Sequence, residues 1–99
     1  MTIKTSQEGA NTILAIEGRI DTNTSPQLQD ALLKAFQTAK TVTVDFAAVP
    51  YISSAGLRAL LIGQKTAASK GLTMELKNVS PAVFSILESV GFSKILTIN

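Results

Sequence analysis

Two adjacent serines, Ser53 and Ser54, are the side chains of this sequence best placed to do chemistry. They stand where an alternating apolar run gives way to leucines spaced by three and four residues, Leu57, Leu60 and Leu61, a change of period that predicts a strand followed by a helix. A serine at this boundary can cap the helix by accepting an orphan backbone N–H bond. Its hydroxyl also lies at the positive end of the helix dipole, where an anion is favoured. The pair is therefore either a structural cap or part of an anion site.

Two residues just inside the predicted helix bear on the second interpretation. Gly56 has no Cβ, so it would let the backbone of a partner approach closely at the start of the helix. Arg58 follows Ser54 by four residues and hence lies on the same helical face, within reach of an anion held beside that serine. The structural alternative for Arg58 is a solvated surface side chain.

The residue types that are missing exclude most enzyme classes. The chain has no histidine and no cysteine, so Ser-His-Asp and Cys-His catalysis and the commonest zinc ligands are unavailable. A hydrolase that used Ser54 as its nucleophile would lack a histidine base, and the G-x-S-x-G elbow is also missing. We therefore predict a protein that is not an enzyme and that needs no metal or cofactor.

Composition predicts one small globular domain spanning 1–99. Of the 99 residues 45% are hydrophobic and 16% are charged, and nine Lys and Arg against seven Asp and Glu give a net charge of +2. These charges are scattered, so no basic stripe for nucleic acid is predicted. Neither a membrane-length apolar run of about 20 residues nor a secretory signal is visible, which leads us to expect a cytoplasmic protein.

The elements that must position the serine pair alternate between strand and helix patterns. Strands are predicted at 2–7, 12–17, 41–46, 72–77 and, less regularly, 95–98, and helices at about 26–39, 54–70 and 81–90. The first two strands flank a short polar turn and should pair antiparallel, whereas strands joined by helices should pair in parallel. The prediction is an α/β fold with a mixed β-sheet of four to five strands that opens with an antiparallel hairpin and is covered by about three to four α-helices.

Local signals also predict the helix ends and the buried faces. Thr24 or Ser25 can cap the first helix, Gly71 can end the second, and Ser80 followed by Pro81 can begin the third. The residues predicted to be buried are Leu28, Ala31, Leu32, Ala35 and Phe36 on the first helix, and Val83, Phe84, Leu87 and Val90 on the third.

The central segment, Y-I-S-S-A-G-L-R-A-L-L, closely resembles the signature of the STAS domain in its anti-sigma factor antagonist form. Three further segments match the same family: G-R-I-D-x-x-T before the first helix, and N-V-S-P-x-V and G-F-x-K-I in the last third. They occur in the family's order and spacing, and the resemblance covers nearly all of the chain.

The resemblance implies a phosphorylation site and a loop beside it. In that family the serine two positions before the glycine is phosphorylated by an anti-sigma factor that is itself a serine kinase, which corresponds here to Ser54. The family's common Asp before that serine is Ser53 in this sequence. The G-x-x-D-x-x-T loop would place Asp21 and Thr24 near the phosphoserine, although Asp21 could simply stabilise a turn and Thr24 could simply cap a helix.

The function implied by the resemblance is that of a switch. The unphosphorylated protein would bind the serine-kinase anti-sigma factor and free a sigma factor, phosphorylation would release it, and a serine phosphatase would remove the phosphate. The partner-binding residues implied are Asp21, Thr24, Ser53, Ser54, Ala55, Gly56, Leu57 and Arg58. The alternative is a STAS module that binds a small anionic ligand, a nucleotide or a lipid head group, in which the two serines and the helix N-terminus would hold the anion.

Overall fold

The computed structural model describes residues 1–99 and contains a five-stranded sheet and three α-helices, which confirms the predicted α/β fold. In chain order the elements are β1 Thr2–Glu8, β2 Asn11–Glu17, α1 Ser25–Ala35, β3 Thr41–Ala48, α2 Ser54–Lys70, β4 Thr73–Lys77, α3 Pro81–Ser89 and β5 Thr97–Ile98, with a short 3₁₀ helix at Phe92–Lys94 before β5.

The strands lie in the sheet in chain order, from β1 at one edge to β5 at the other. β1 and β2 are antiparallel, and β3, β4 and β5 are each parallel to the preceding strand. The hairpin connection has only two residues, of which Gly9 has a φ of +63°, as a tight turn with glycine in its first central position requires. The mixed sheet predicted from the sequence is therefore confirmed, including its opening hairpin.

One face of the sheet carries the hydrophobic core. The strand side chains on this face, such as Val42, Val44 and Leu76, have no exposed surface. They pack with residues of all three helices in one cluster of 22 buried side chains. The opposite phase of the same strands is mostly polar or half-buried, as in Glu75 and Lys77. The domain thus has two layers, with helices on one face of the sheet.

The residues predicted to end α2 and to begin α3 are confirmed. Gly71 ends α2 in the left-handed conformation with a φ of +68°, and the Ser80 hydroxyl accepts a hydrogen bond from the Val83 amide with Pro81 in the first turn of α3. No helix in the structure combines the length and the apolar character needed to cross a membrane.

Some predictions about helix extent and burial were wrong. α1 ends at Ala35 rather than near Ala39, because the following residues form a turn in which the Gln37 and Thr38 amides bond to carbonyls three residues earlier. The apolar period continues past the helix end, since Ala39 is itself buried. Phe84 and Val90 were predicted to be buried on the third helix, but Phe84 is only half-buried. Val90 follows the last residue of α3 and is 49% exposed.

Candidate functional site

The serine turn, residues 51–54, links the end of the β3 segment to α2. Ser53 has an extended backbone, with φ −89° and ψ 173°, and its hydroxyl accepts a hydrogen bond from the Gly56 amide at 3.3 Å. Ser53 is therefore the N-cap, and Ser54 is the first residue of the helix, exposed to solvent. The Ser54 hydroxyl makes no hydrogen bond within the protein.

These separate roles of Ser53 and Ser54 bear on the presence of Ser53 where the resembled family commonly has Asp. Ser and Asp are comparably good N-cap residues, because either side-chain oxygen can accept the free amides of the first turn. Ser53 can thus fill the capping role at this position without the carboxylate. Ser53 is then the structural cap and Ser54 is the candidate phosphoacceptor. Capping by Ser53 leaves the Ser54 hydroxyl free.

The Asp21 loop, residues 19–24, is a compact turn built on Asp21 and Thr24. The Asp21 carboxylate accepts hydrogen bonds from the Asn23 and Thr24 amides, both at 3.0 Å. The Thr24 hydroxyl accepts from the Asp21 amide at 2.8 Å and lies 3.0 Å from the Arg19 carbonyl oxygen and 3.1 Å from the Asp21 carboxylate, either of which it can donate to. Although Thr24 occupies the N-cap position of α1, its side chain makes no capping bond, so the predicted capping role is wrong.

The same hydrogen bonds favour the ionised form of Asp21. The bond from the Thr24 amide, assisted by the Thr24 hydroxyl, the Asn23 amide and the positive charge of Arg19, lowers the pKa of Asp21 below its ordinary value of 3.8 against a smaller opposing effect of burial. The Asp21 carboxylate therefore stays ionised down to a lower pH than an ordinary aspartate.

A short parallel bridge between Ile20 and Ile52 holds the Asp21 loop against the serine turn. The Ile20 amide donates to the Tyr51 carbonyl oxygen at 3.0 Å, and the Ser53 amide donates to the Ile20 carbonyl oxygen at 2.8 Å. Asp21 and Ser53 are the residues that directly follow the bridged pair. The structure thus brings together the two segments that the sequence resemblance assigns to one site.

Gly56 makes this junction possible. A Cβ on Gly56 would lie 2.6 Å from the Ile20 Cγ2 atom and 2.7 Å from the Ile52 Cγ1 atom, closer than carbon atoms can approach. We expected the missing side chain to admit the backbone of a partner, and the structure shows instead that it admits the side chains of the bridge. Gly56 therefore lets α2 begin directly on top of the Ile20–Ile52 pair.

The other predicted site residues divide into exposed and buried sets. Arg58 is exposed on the first turns of α2, Ala55 is half-buried, and Leu57 is only 8% exposed. Leu57 belongs to the hydrophobic core and Gly56 is buried, so both residues expose little surface at the start of α2.

One contact between the Asp21 loop and the serine turn was not predicted from the sequence. The Arg19 guanidinium lies 4.5 Å from the centre of the Tyr51 ring, in the geometry of a cation–π contact. Tyr51 is one of the few large hydrophobic side chains that is exposed, at 38%. The two residues are far apart in the chain, and only the pairing of Ile20 with Ile52 brings them together, so no local sequence pattern indicates the contact.

The sequence matches the family model described as "Mlab, STAS domain" over residues 3–97. The chain is also 28% identical over 94 residues to a STAS-domain containing protein of Pseudomonas aeruginosa (strain UCBPP-PA14), with 95% of this chain and 93% of that protein covered.

Solved structures share the same fold. SpoIIAA from Bacillus, an anti-sigma factor antagonist solved in unphosphorylated and phosphorylated forms, superposes with TM-scores of 0.78 and 0.77 at 16% identity, covering 99% of this chain and 87% and 91% of those chains. A sulfate transporter family protein from Wolinella succinogenes gives a TM-score of 0.80 at 25% identity, covering 90% of this chain and 73% of that chain. With a family model that spans nearly the whole sequence and a sheet and helix order shared with these structures, the chain belongs to the STAS domain family.

Proposed function

We propose that this domain is an anti-sigma factor antagonist whose binding to a serine-kinase anti-sigma factor is switched off by phosphorylation of Ser54. The observation that carries the proposal is the free, exposed Ser54 hydroxyl at the first position of α2, next to a separate capping serine. The fold shared with SpoIIAA, which has been solved in phosphorylated and unphosphorylated forms, supports it.

The proposed partner surface is centred on the serine turn and the Asp21 loop. Its exposed or half-buried members are Asp21, Thr24, Ser53, Ser54, Ala55 and Arg58, while Gly56 and Leu57 hold it in shape from beneath. The Asp21 loop and the turn are joined by backbone hydrogen bonds, so the two segments are already held together in the free domain. Preorganisation of this kind lowers the entropy cost of association.

Phosphorylation would switch this surface through charge. A phosphate adds about −1.5 to −2 charges at neutral pH, and inside an interface that charge must be desolvated against the partner. A penalty of about 2 to 4 kcal/mol weakens binding by roughly 30- to 1,000-fold. The start of α2 favours an anion electrostatically, so the modified domain keeps its fold. A serine phosphatase would restore the binding form.

Binding measurements on charge variants test this mechanism. Ser54→Ala keeps the surface neutral and leaves the Ser53 cap in place, so it should bind a candidate serine-kinase anti-sigma factor as the wild type does. Ser54→Asp should bind more weakly while melting at a similar temperature. If Ser54→Asp bound as tightly as the wild type with its fold intact, charge exclusion would be the wrong mechanism.

The second candidate function is binding of a small anionic ligand, and the 25% identity to a sulfate transporter family protein favours it. In that case the exposed Ser54 hydroxyl and the N-terminus of α2 would hold the anion. Incubation with the kinase and ATP separates the two functions, because only the antagonist is expected to receive a covalent phosphate.

A further inference from the structure

β1 is a long edge strand whose protection against pairing is limited to two charged residues, Lys4 and Glu8, and the Lys4 ammonium is paired with Glu17 of β2 at 3.1 Å. It is seven residues long, contains no proline, and pairs with β2 in an unbroken register from Thr2 opposite Glu17 to Glu8 opposite Asn11. Edge strands are normally shortened, bulged, interrupted by proline or supplied with charged side chains so that they do not recruit another strand, and β1 has only the last of these. The opposite edge of the same sheet follows this rule, since β5 has only two residues.

The backbone groups that β1 leaves free can be assigned from the hydrogen bonds of its neighbour. The Ala10 carbonyl oxygen accepts hydrogen bonds from the Lys40 and Thr41 amides, and the Gly18 amide donates to the Ala48 carbonyl oxygen. The backbone N–H and C=O groups of the even-numbered residues in the β2 segment therefore point towards β3. The odd-numbered residues of β2 therefore face β1 and pair with its even-numbered residues. This leaves the N–H and C=O groups of Ile3, Thr5 and Gln7 pointing away from the sheet.

A groove of about 490 Å³ runs along this edge between β1 and α1. The side chains of the same three residues, Ile3, Thr5 and Gln7, line one side of it, and α1 residues such as Gln27, Ala31 and Lys34 line the other. None of the lining residues belongs to the serine turn or the Asp21 loop. A strand added beside β1 would place every second side chain into this groove.

The charges of the groove indicate what kind of strand it fits. Lys34 is its only charged lining residue, and this lysine forms no salt bridge. A second copy of β1 would bring in Ile3, Thr5 and Gln7, none of which carries a charge. An acidic side chain on the incoming strand would instead neutralise Lys34 at the wall of the groove.

We propose that the β1 edge and the groove beside α1 form a second docking surface, which binds an extended peptide segment of another protein by strand addition. The backbone hydrogen bonds of Ile3, Thr5 and Gln7 would give affinity, and an acidic side chain facing Lys34 would give specificity. The surface is separate from the serine turn, so both can be occupied together.

Panning a phage-displayed library of random linear peptides against the whole domain tests this proposal. We expect selected peptides with alternating polarity and a Glu or Asp on the phase that enters the groove, binding one peptide per domain. On binding, the amides of Ile3, Thr5 and Gln7 should gain protection from hydrogen exchange, whereas those of Lys4 and Ser6, already paired with β2, should change little.

Matched variants distinguish strand addition from nonspecific peptide binding. Thr5→Pro removes one outward N–H, which an edge strand tolerates, and should weaken the selected peptide at least about tenfold. Thr5→Val keeps the N–H and should bind like the wild type, and Lys34→Glu should reverse the preference from acidic to basic peptides. The proposal is wrong if no peptide is enriched, if protection falls outside β1, if Thr5→Pro binds as tightly as Thr5→Val, or if the free domain already dimerises through β1.

Discussion

The Ser53 hydroxyl caps α2 by accepting a hydrogen bond from the Gly56 amide at 3.3 Å, and this contact separates the structural role of the serine pair from its proposed regulatory role. Ser53→Ala should lose about 1 kcal/mol of unfolding free energy, or roughly 4–8 °C in Tm for a domain of this size. Ser54→Ala is the matched control and should change the unfolding free energy by less than about 0.5 kcal/mol. Equal losses in the two variants, measured by thermal and urea denaturation, would contradict the assignment of the cap.

Gly56 should be intolerant of even one added methyl group. The Cβ of Gly56→Ala would meet branched carbons of Ile20 and Ile52 at 2.6 and 2.7 Å, and these cannot rotate away freely. We expect a loss of about 1–3 kcal/mol in unfolding free energy.

The control for this substitution lies on the same helix. At Gly63 the added Cβ would meet the Leu32 Cδ1 atom at 2.9 Å and the Met74 sulfur at 3.1 Å, which are the ends of more flexible side chains. Gly63→Ala also gains helix propensity of up to about 1 kcal/mol, so it should cost less than Gly56→Ala. A Gly56→Ala protein that is as stable as Gly63→Ala would show that the Ile20–Ile52 bridge is not tightly packed against α2.

The hydrogen bonds of the Asp21 loop predict an acid-dependent loss of stability. Because the pKa of Asp21 is lowered in the folded protein, its ionised form adds stability above the ordinary pKa of 3.8, and this contribution disappears as the pH falls through the lower native value. An NMR titration of the Asp21 side chain should give a midpoint below 3.8.

Removing the Thr24 hydroxyl should raise that midpoint. Thr24→Val keeps the bond from the Thr24 amide to the Asp21 carboxylate and removes the hydroxyl, with its contacts to that carboxylate, to the Asp21 amide and to the Arg19 carbonyl oxygen. The pKa of Asp21 should therefore move part of the way back towards 3.8. Thr22→Val, which removes a hydroxyl that makes no bond to Asp21, should leave it unchanged. A Thr24→Val midpoint identical to the wild type would assign the shift to the backbone amides alone.

Arg58 should stabilise the phosphorylated form in particular. It lies four residues after Ser54 and is exposed, so it can reach a phosphate on that serine. Arg58→Ala should lose part of any phosphate-dependent gain in Tm and should leave the unmodified domain nearly unchanged. Lys65→Ala removes a positive charge farther along the same helix and serves as the control. The same shift on phosphorylation in the wild type and in Arg58→Ala would show that the helix terminus alone holds the phosphate.

Much of the fold could be predicted because its signals are local. Gly71 ends α2 and Ser80 with Pro81 begins α3 through backbone requirements that depend on the residues themselves. The end of α1 could not be predicted in the same way, because Phe36 and Ala39 are buried by the core and continue the apolar period after the helix has stopped.

Prediction of the candidate site from the sequence was limited in the same way, because local patterns do not determine tertiary contacts. The sequence placed Ser53 and Ser54 at the start of a helix, but which of them caps it depends on backbone angles that neither residue determines alone. The contact of Arg19 with Tyr51 depends on the bridge between Ile20 and Ile52, a tertiary pairing without a local pattern. The family resemblance indicated that the two loops meet, and the structure supplies the hydrogen bonds that join them.

Phosphate mapping tests the central claim most directly. The domain is incubated with a candidate serine-kinase anti-sigma factor and ATP, and intact-mass and fragment spectra are recorded for the wild type, Ser53→Ala and Ser54→Ala. We predict one phosphate on Ser54 in the wild type, retained in Ser53→Ala and absent in Ser54→Ala. A phosphate on Ser53 with Ser54 unmodified, or continued transfer to Ser54→Ala, would contradict the account.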